Sequence, residues 1–207
     1  MTSKGGLYSC GPKTALTLSW TFYLLLQNPN AEQRLNSELD AELGGRCPVA
    51  SDLPRMCYAD AVIREALRLY PPAWRIGRTT REPFEIGDYI LPSGANIVFS
   101  QWVTHRDARW FADPEGFIPG RWLDQSTAKL PRFAYLPFGG GPRVCISAGF
   151  ATMEAMLLLA VIAQRFQLRL VPGQRIEPLP SITLRPKHGI WVELRERRGT
   201  RATATAH

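Results

Sequence analysis

Between Phe138 and Ala151 the chain runs Phe-Gly-Gly-Gly-Pro-Arg-Val-Cys-Ile-Ser-Ala-Gly-Phe-Ala, and this stretch constrains the molecule more than any other. Consecutive glycines reach backbone angles closed to other residues, so the loop can bring its N–H groups close to a large planar group and to a sulfur atom. Cys145 stands just ahead of an apolar helix expected to begin near Ala148. The positive end of that helix favours a thiolate, and donated hydrogen bonds tune how strongly the sulfur gives electrons to a metal. Arg143, two residues earlier, is always charged and offers a planar fork suited to a carboxylate. Phe138 is placed to cover the sulfur and keep water away. The bland alternative is a buried cysteine acting as a small hydrophobe. The arginine, the glycines and the following helix outweigh it.

The segment resembles the haem-binding signature of the cytochrome P450 superfamily, F-x-x-G-x-R-x-C-x-G followed by F-A-x-x-E. Phe138, Gly141, Arg143, Cys145, Phe150, Ala151 and Glu154 match, while Ser147 stands where the family has glycine. The resemblance implies that Cys145 is the axial ligand of haem b iron, with Phe138, Gly139 and Gly141 forming the loop around it. It also implies that Arg143 and Arg78 meet the haem propionates; for Arg78 a surface salt bridge is the alternative.

The helical and strand patterns fit a mainly α protein with small peripheral β-sheets. Thr14 to Gln27 is apolar all round, as expected of a helix through an interior, and Asn28-Pro29 ends it. Asn28 and Pro29 are expected to cap a second helix with a stripe of Leu35, Leu39 and Leu43, stopped by Gly44-Gly45. A third helix is expected over 59–70, ended by Pro71-Pro72. Gly87-Asp88 signals a hairpin between 83–86 and 89–91, and another strand follows over 96–100. Residues 102–137 show little periodicity and are expected to form a long irregular meander. A helix over 148–166 and strands over 167–171, 181–185 and 190–194 complete the pattern.

On the third helix Glu65 and Arg68 share a face among apolar residues, so a buried, hydrogen-bonded pair is expected. With Pro119-Gly120-Arg121-Trp122 this pair resembles the family's Glu-Arg-Arg triad, Arg121 being the third member, although Gly120 replaces the usual acid. By the same resemblance Ala73, Trp74 and Ile76, together with Ile182 in the Ser181–Thr183 turn, line the substrate pocket. His105 has no partner at ligand spacing and is expected to be structural.

Composition narrows the remaining classes. With 45% hydrophobic and 21% charged residues, 207 residues can bury a full core. The four cysteines, Cys10, Cys47, Cys57 and Cys145, form no C-x-x-C pair and no disulfide framework, which fits a reducing, cytoplasmic setting. The formal charge is +7, and the stretch from Arg165 to His207 holds nine Lys or Arg against three Asp or Glu. Basic residues are not interleaved with aromatics on one element, so nucleic acid is not an expected partner. A basic surface can instead steer an acidic electron-transfer protein. The apolar run from Ala15 to Leu26 is too short to span a bilayer, and no secretory signal opens the chain.

The resemblance covers 14–194, and it is to the C-terminal half of the family's fold, truncated at the N-terminus. Residues 1–13 do not match, and 195–207 are expected to be a disordered basic tail. In the family the positions before Thr14 read A-G-x-[DE]-T, and here they are Ser9-Cys10-Gly11-Pro12-Lys13. The acid and alcohol that deliver protons are thus replaced by Pro12 and Lys13, which points to a truncated or frameshifted reading frame. The implied function is a haem-thiolate monooxygenase acting on an apolar substrate with dioxygen, fed electrons by a ferredoxin, a flavodoxin or a reductase. The chain alone is expected to be inactive; a catalytically dead relic and a haem-binding module without oxygen chemistry stay open as alternatives.

Overall fold

The computed structural model describes residues 11–124 and 127–197. Within them the helices are α1 (Gly11–Gln27), α2 (Pro29–Leu43), α3 (Cys57–Leu69), the single turn α4 (Gln101–Thr104) and α5 (Ala148–Arg165). The strands are β1 (Ile76–Thr79), β2 (Phe84–Ile86), β3 (Tyr89–Leu91), β4 (Asn96–Phe99), β5 (Phe166–Leu170), β6 (Pro178–Pro180), β7 (Leu184–Pro186) and β8 (Val192–Glu196). They form four two-stranded antiparallel ladders, β1–β4, β2–β3, β5–β8 and β6–β7. The molecule is therefore mostly helical with small sheets at its edges.

The core lies where α1, α2, α3 and α5 meet. Leu18 and Leu25 of α1, Leu35, Leu39 and Leu43 of α2, Val62, Ile63 and Leu67 of α3, and Met156 and Leu159 of α5 form one buried cluster. The α2 leucines recur every fourth residue, which keeps them on one face, and each such side chain contributes about 1.5–3 kcal/mol by leaving water. Helix α3 is central. Only Cys57, Asp60 and Arg64 on it escape full burial, and they fall on one outer stripe where Arg64 Nε and Asp60 Oδ2 pair at 2.6 Å. By length and composition α5 is apolar enough to cross a membrane, yet Ala155, Met156, Leu159, Ala160 and Ala163 are buried in this core.

Trp20 fastens α1 to the chain beyond α3. Fully buried, it stacks on Tyr70 with ring centres 4.2 Å apart, and its indole N–H donates to the Leu184 carbonyl at 3.1 Å. A second link binds residues 72–74 to the β6–β7 turn, through the Leu184 N–H to Pro72 O (3.0 Å) and the Trp74 indole to Ser181 O (2.8 Å).

Several boundaries differ from the sequence expectation for identifiable reasons. Helix α1 begins at Gly11, since proline is tolerated in a first turn where its missing N–H has no partner to lose. Asn28 makes no side-chain cap for α2; its amide donates back to Leu24 O at 2.8 Å, closing the end of α1 instead. Gly44, at φ 55°, does end α2, its N–H donating to Asp40 O. Helix α3 starts at Cys57, two residues early. Residues 76–79, for which no strand was expected, form β1 because β4 supplies a partner in register from Ile76 opposite Phe99 to Thr79 opposite Asn96. The expected strand over 181–185 splits, Ser181–Thr183 being the turn between β6 and β7. Strand β8 reaches Glu196, and the Arg197 guanidinium donates to Asp40, Asn36 and the Ala163 carbonyl, so the expected tail does not begin at 195. Residues 198–207, with Cys10 and the rest of the first ten residues, lie outside the described residues.

Candidate functional site

The Glu65 carboxylate, fully buried in α3, accepts five hydrogen bonds. Arg68 donates through Nε (2.9 Å) and Nη2 (2.8 Å), Arg121 through Nε (3.0 Å), Trp122 through its indole (2.8 Å) and Ile118 through its backbone N–H (3.0 Å). The two guanidiniums spend their other donors on backbone carbonyls. Arg68 reaches His105, Pro114 and Gly116, and Arg121 reaches Ala112 and Asp113. Charges this deep persist only when paired and hydrogen-bonded, and here the partners beyond α3 come from the stretch 105–122, whose regular structure amounts to a short 3-10 turn at Pro119–Trp122. The cluster therefore pins the irregular segment 105–122 to α3.

His105 carries this order toward the cysteine loop. Its ring is fully buried, Nε2 accepts the Leu136 N–H at 2.9 Å, and Nδ1 lies 3.3 Å from Arg68 O. This pattern requires the neutral ring with its proton on Nδ1. Burial pushes its pKa down to about 3, aided by the nearby Arg68 and Arg106 charges and opposed by the hydrogen bond to the Arg68 carbonyl. Tyr135 beside it donates to Arg64 O at 3.1 Å, and burial raises its pKa above the ordinary phenol range.

From Leu136 the loop closes in short steps. The Gly139 N–H donates to Leu136 O (2.9 Å), the Cys145 N–H to Phe138 O (3.0 Å) and the Val144 N–H to Gly141 O (3.1 Å). Gly139 and Gly141 hold φ of 77° and 69°, which side chains with a Cβ rarely adopt. At Gly140 the Phe133 ring covers the place a Cβ would take. Ser147 has φ −93°, accessible to any residue, so serine here strains nothing.

The loop, β1, α1, α3 and α5 enclose a cavity of about 680 Å³. Cys145, Arg143, Phe138 and Gly139 lie on its wall, as do Arg78, Ala73, Ile76 and Lys13. Gly141, Trp74 and Ile182 do not: Gly141 shapes the loop from outside, Trp74 is bound to Ser181, and Ile182 is 89% exposed at the tip of the β6–β7 turn. The pocket assignment of Trp74 and Ile182 thus departs from the geometry, because their segments are tied to each other. Thr14 and Thr17 of α1 also line the wall, their hydroxyls donating to Glu154 Oε2 (2.7 Å) and Lys13 O (3.0 Å).

The profile of the cytochrome P450 family matches residues 12–192. The chain belongs to the cytochrome P450 family. Cyclooctatin synthase of Streptomyces melanosporofaciens is 46% identical over 171 residues, covering 83% of this chain and 37% of the relative. Cyclooctat-9-en-7-ol 5-monooxygenase of the same organism is 43% identical over 160 residues, covering 77% and 35%. Pentalenene oxygenase of Streptomyces avermitilis is 38% identical over 168 residues, covering 81% and 37%. The chain thus spans a little over a third of the length of these relatives.

P450 membership implies haem, and the cavity residues fit that group. One soft sulfur donor and two guanidiniums, with no carboxylate among the described wall residues, suit an iron-bearing planar dicarboxylate. The cavity volume falls within the usual range for cofactor sites, about 300–1,000 Å³.

Sequence reasoning missed Trp122 and the Ile118 N–H as ligands of Glu65, the link from His105 to Leu136, and the α1 wall. Thr14 and Thr17, three residues apart on a largely apolar helix, were the available signal for that wall.

The buried charges lead to two expected outcomes. Glu65→Gln leaves the two guanidiniums without their counter-charge and is expected to cost about 3–5 kcal/mol in urea unfolding; a loss below about 1 kcal/mol would contradict the assignment. For His105, the unfolded chain takes up a proton below about pH 6.5 that the folded chain refuses until about pH 3, so stability falls as pH drops through that window. Between pH 7 and pH 5 the wild type is expected to lose about 2 kcal/mol more than His105→Gln. Equal losses in the two proteins would show that His105 is not held neutral.

Proposed function

We propose that the domain carrying these residues, about 14–194, is a haem-thiolate monooxygenase that inserts one oxygen atom of dioxygen into an apolar organic substrate. The observation that carries this reading is that Cys145 and Arg143, from a loop whose Cys145 N–H is held by Phe138 O, line one cavity with Arg78 from β1. Two of the relatives are a monooxygenase and an oxygenase by name.

Haem b, when bound, supplies the dioxygen activation and the electron-rich iron–sulfur chemistry. The chain's residues do the rest. Cys145 would hold the iron through its sulfur, and Arg143 and Arg78 would hold the propionates. Cys145 is exposed in the structure; with haem in place Phe138, on the same wall, would screen the sulfur from water, and Gly139 would let the loop approach the macrocycle. Ala73 and Ile76 offer the substrate an apolar wall. Glu65, Arg68 and Arg121 hold the scaffold beneath the loop. Electrons come from a ferredoxin, a flavodoxin or a reductase in the cytoplasm, docking on the face where Val144, Ile146 and Phe150 are exposed beside Cys145.

A second reading, haem binding without oxygen chemistry, draws on Lys13 at the cavity wall. That residue stands where the family pattern has the proton-delivering alcohol. On this reading the chain by itself holds haem and does not turn over.

The test is the absorption spectrum of the chain expressed with added haem, reduced and exposed to carbon monoxide. Wild type is expected to give the strongly red-shifted Soret band of a thiolate-ligated haem, and Cys145→Ala to lose it. A wild-type spectrum without that band would overturn the proposal, while the band without substrate oxidation would favour the second reading.

A further inference from the structure

Behind the cavity wall the rings of Trp20, Tyr23 and Tyr70 pack on one another. Trp20 stacks on Tyr70 at 4.2 Å and meets Tyr23 edge-on at 5.9 Å, and the two tyrosine rings are 6.2 Å apart. Trp102 extends the group, its ring 5.7 Å from that of Tyr70. Trp20 is fully buried, whereas Tyr23 and Tyr70 are half-buried. Two links tie the group to the cavity. Thr17, one turn before Trp20 on α1, is a wall residue, and the Trp20 indole is bonded to Leu184, whose own N–H is bonded to Pro72 on the wall. Indole and phenol are readily oxidised side chains, and contact between rings lets an electron pass from one to the next.

The surroundings decide where an electron vacancy settles. Arg106 lies 3.4 Å from the ring centre of Trp102 and 5.8 Å from that of Tyr70, so a fixed cation opposes further positive charge on either ring. Burial also raises the pKa of Tyr70, which therefore keeps its proton and resists oxidation. The Trp20 N–H faces a carbonyl, which takes no proton, so Trp20 gives up an electron only by becoming a buried cation. Tyr23, in contact with Trp20 and open in part to water, can release its phenolic proton and hold the vacancy as a neutral radical.

We propose that Trp20 and Tyr23 form an electron relay that carries oxidising equivalents from the cavity to the protein surface when hydrogen peroxide reaches the bound haem. This rests on the haem reading above. In one pass Trp20 gives one electron to the oxidised haem. Tyr23 returns one electron to Trp20 and loses its proton to water, and a soluble reductant such as ascorbate then restores Tyr23 with one electron and one proton. Two passes supply the two electrons and, through solvent, the two protons that reduce one peroxide to two waters. The relay thus protects the cofactor and adds a peroxide-consuming activity in which the reductant never enters the cavity.

The test mixes haem-loaded chain with hydrogen peroxide, freezes it within milliseconds for electron paramagnetic resonance, and follows bleaching of the Soret band in parallel. Wild type is expected to give a tyrosyl signal that ascorbate removes. Tyr23→Phe, which keeps the ring and loses only the hydroxyl, is expected to lose most of that signal and to bleach about twofold faster. Trp20→Phe is expected to lower the signal with Tyr23 still in place, and Tyr135→Phe, beside the cysteine loop, to leave it unchanged. An undiminished tyrosyl signal in Tyr23→Phe would overturn the proposal whether or not Trp20→Phe folds. So would an undiminished signal in a folded Trp20→Phe, or a wild-type haem that bleaches with no tyrosyl signal. A wild-type chain that retains no haem overturns the haem reading itself, and this proposal with it.

Discussion

One buried carboxylate organises the region around the cavity. Glu65 sits on the central helix with no access to water, and its five donors come from a helix neighbour, a distant arginine, an indole and a backbone amide. Arg68 and Arg121 supply the counter-charge that a buried carboxylate needs. The arginines in turn need acceptors, and the carbonyls of residues 105–116 supply them. A stretch that has almost no regular structure is thereby held as firmly as a helix.

That firmness reaches the thiol through His105. Its carbonyl is held by Arg68 and its ring holds the Leu136 N–H, three residues before the glycine that opens the cysteine loop. The Leu136 carbonyl then receives the Gly139 N–H, and Phe138 O receives the Cys145 N–H. Each bond alone is worth about 1 kcal/mol, but in series they fix a flexible, glycine-rich loop relative to α3. Helix α1, another part of the cavity wall, is held to α5 by Thr14 and Glu154, and to β7 by Trp20. The wall and the loop are thus positioned by separate sets of contacts.

Local signals in the chain were legible where the chemistry is local. The glycines, Arg143 and Cys145 lie within seven residues, the α2 leucines repeat at helical spacing, and Gly87-Asp88 forms the hairpin that such a pair favours. What could not be read depends on distance. Trp122 and Ile118 reach Glu65 across more than fifty residues, and nothing near them marks that partner. Residues 76–79 become a strand only because β4 lies beside them. Asn28 carried a true signal for a helix boundary, yet its amide serves the helix that ends there and not the one that begins. Ile182 resembles a pocket residue in sequence, while the Trp74–Ser181 bond holds its turn away from the cavity wall.

The most direct test of the account is iron K-edge X-ray absorption on the haem-loaded chain, because it reads the donor atoms at the metal. A first shell containing one sulfur beside the porphyrin nitrogens, with the sulfur absent in Cys145→Ala, is the predicted result. A first shell of nitrogen and oxygen alone in the wild type would contradict it.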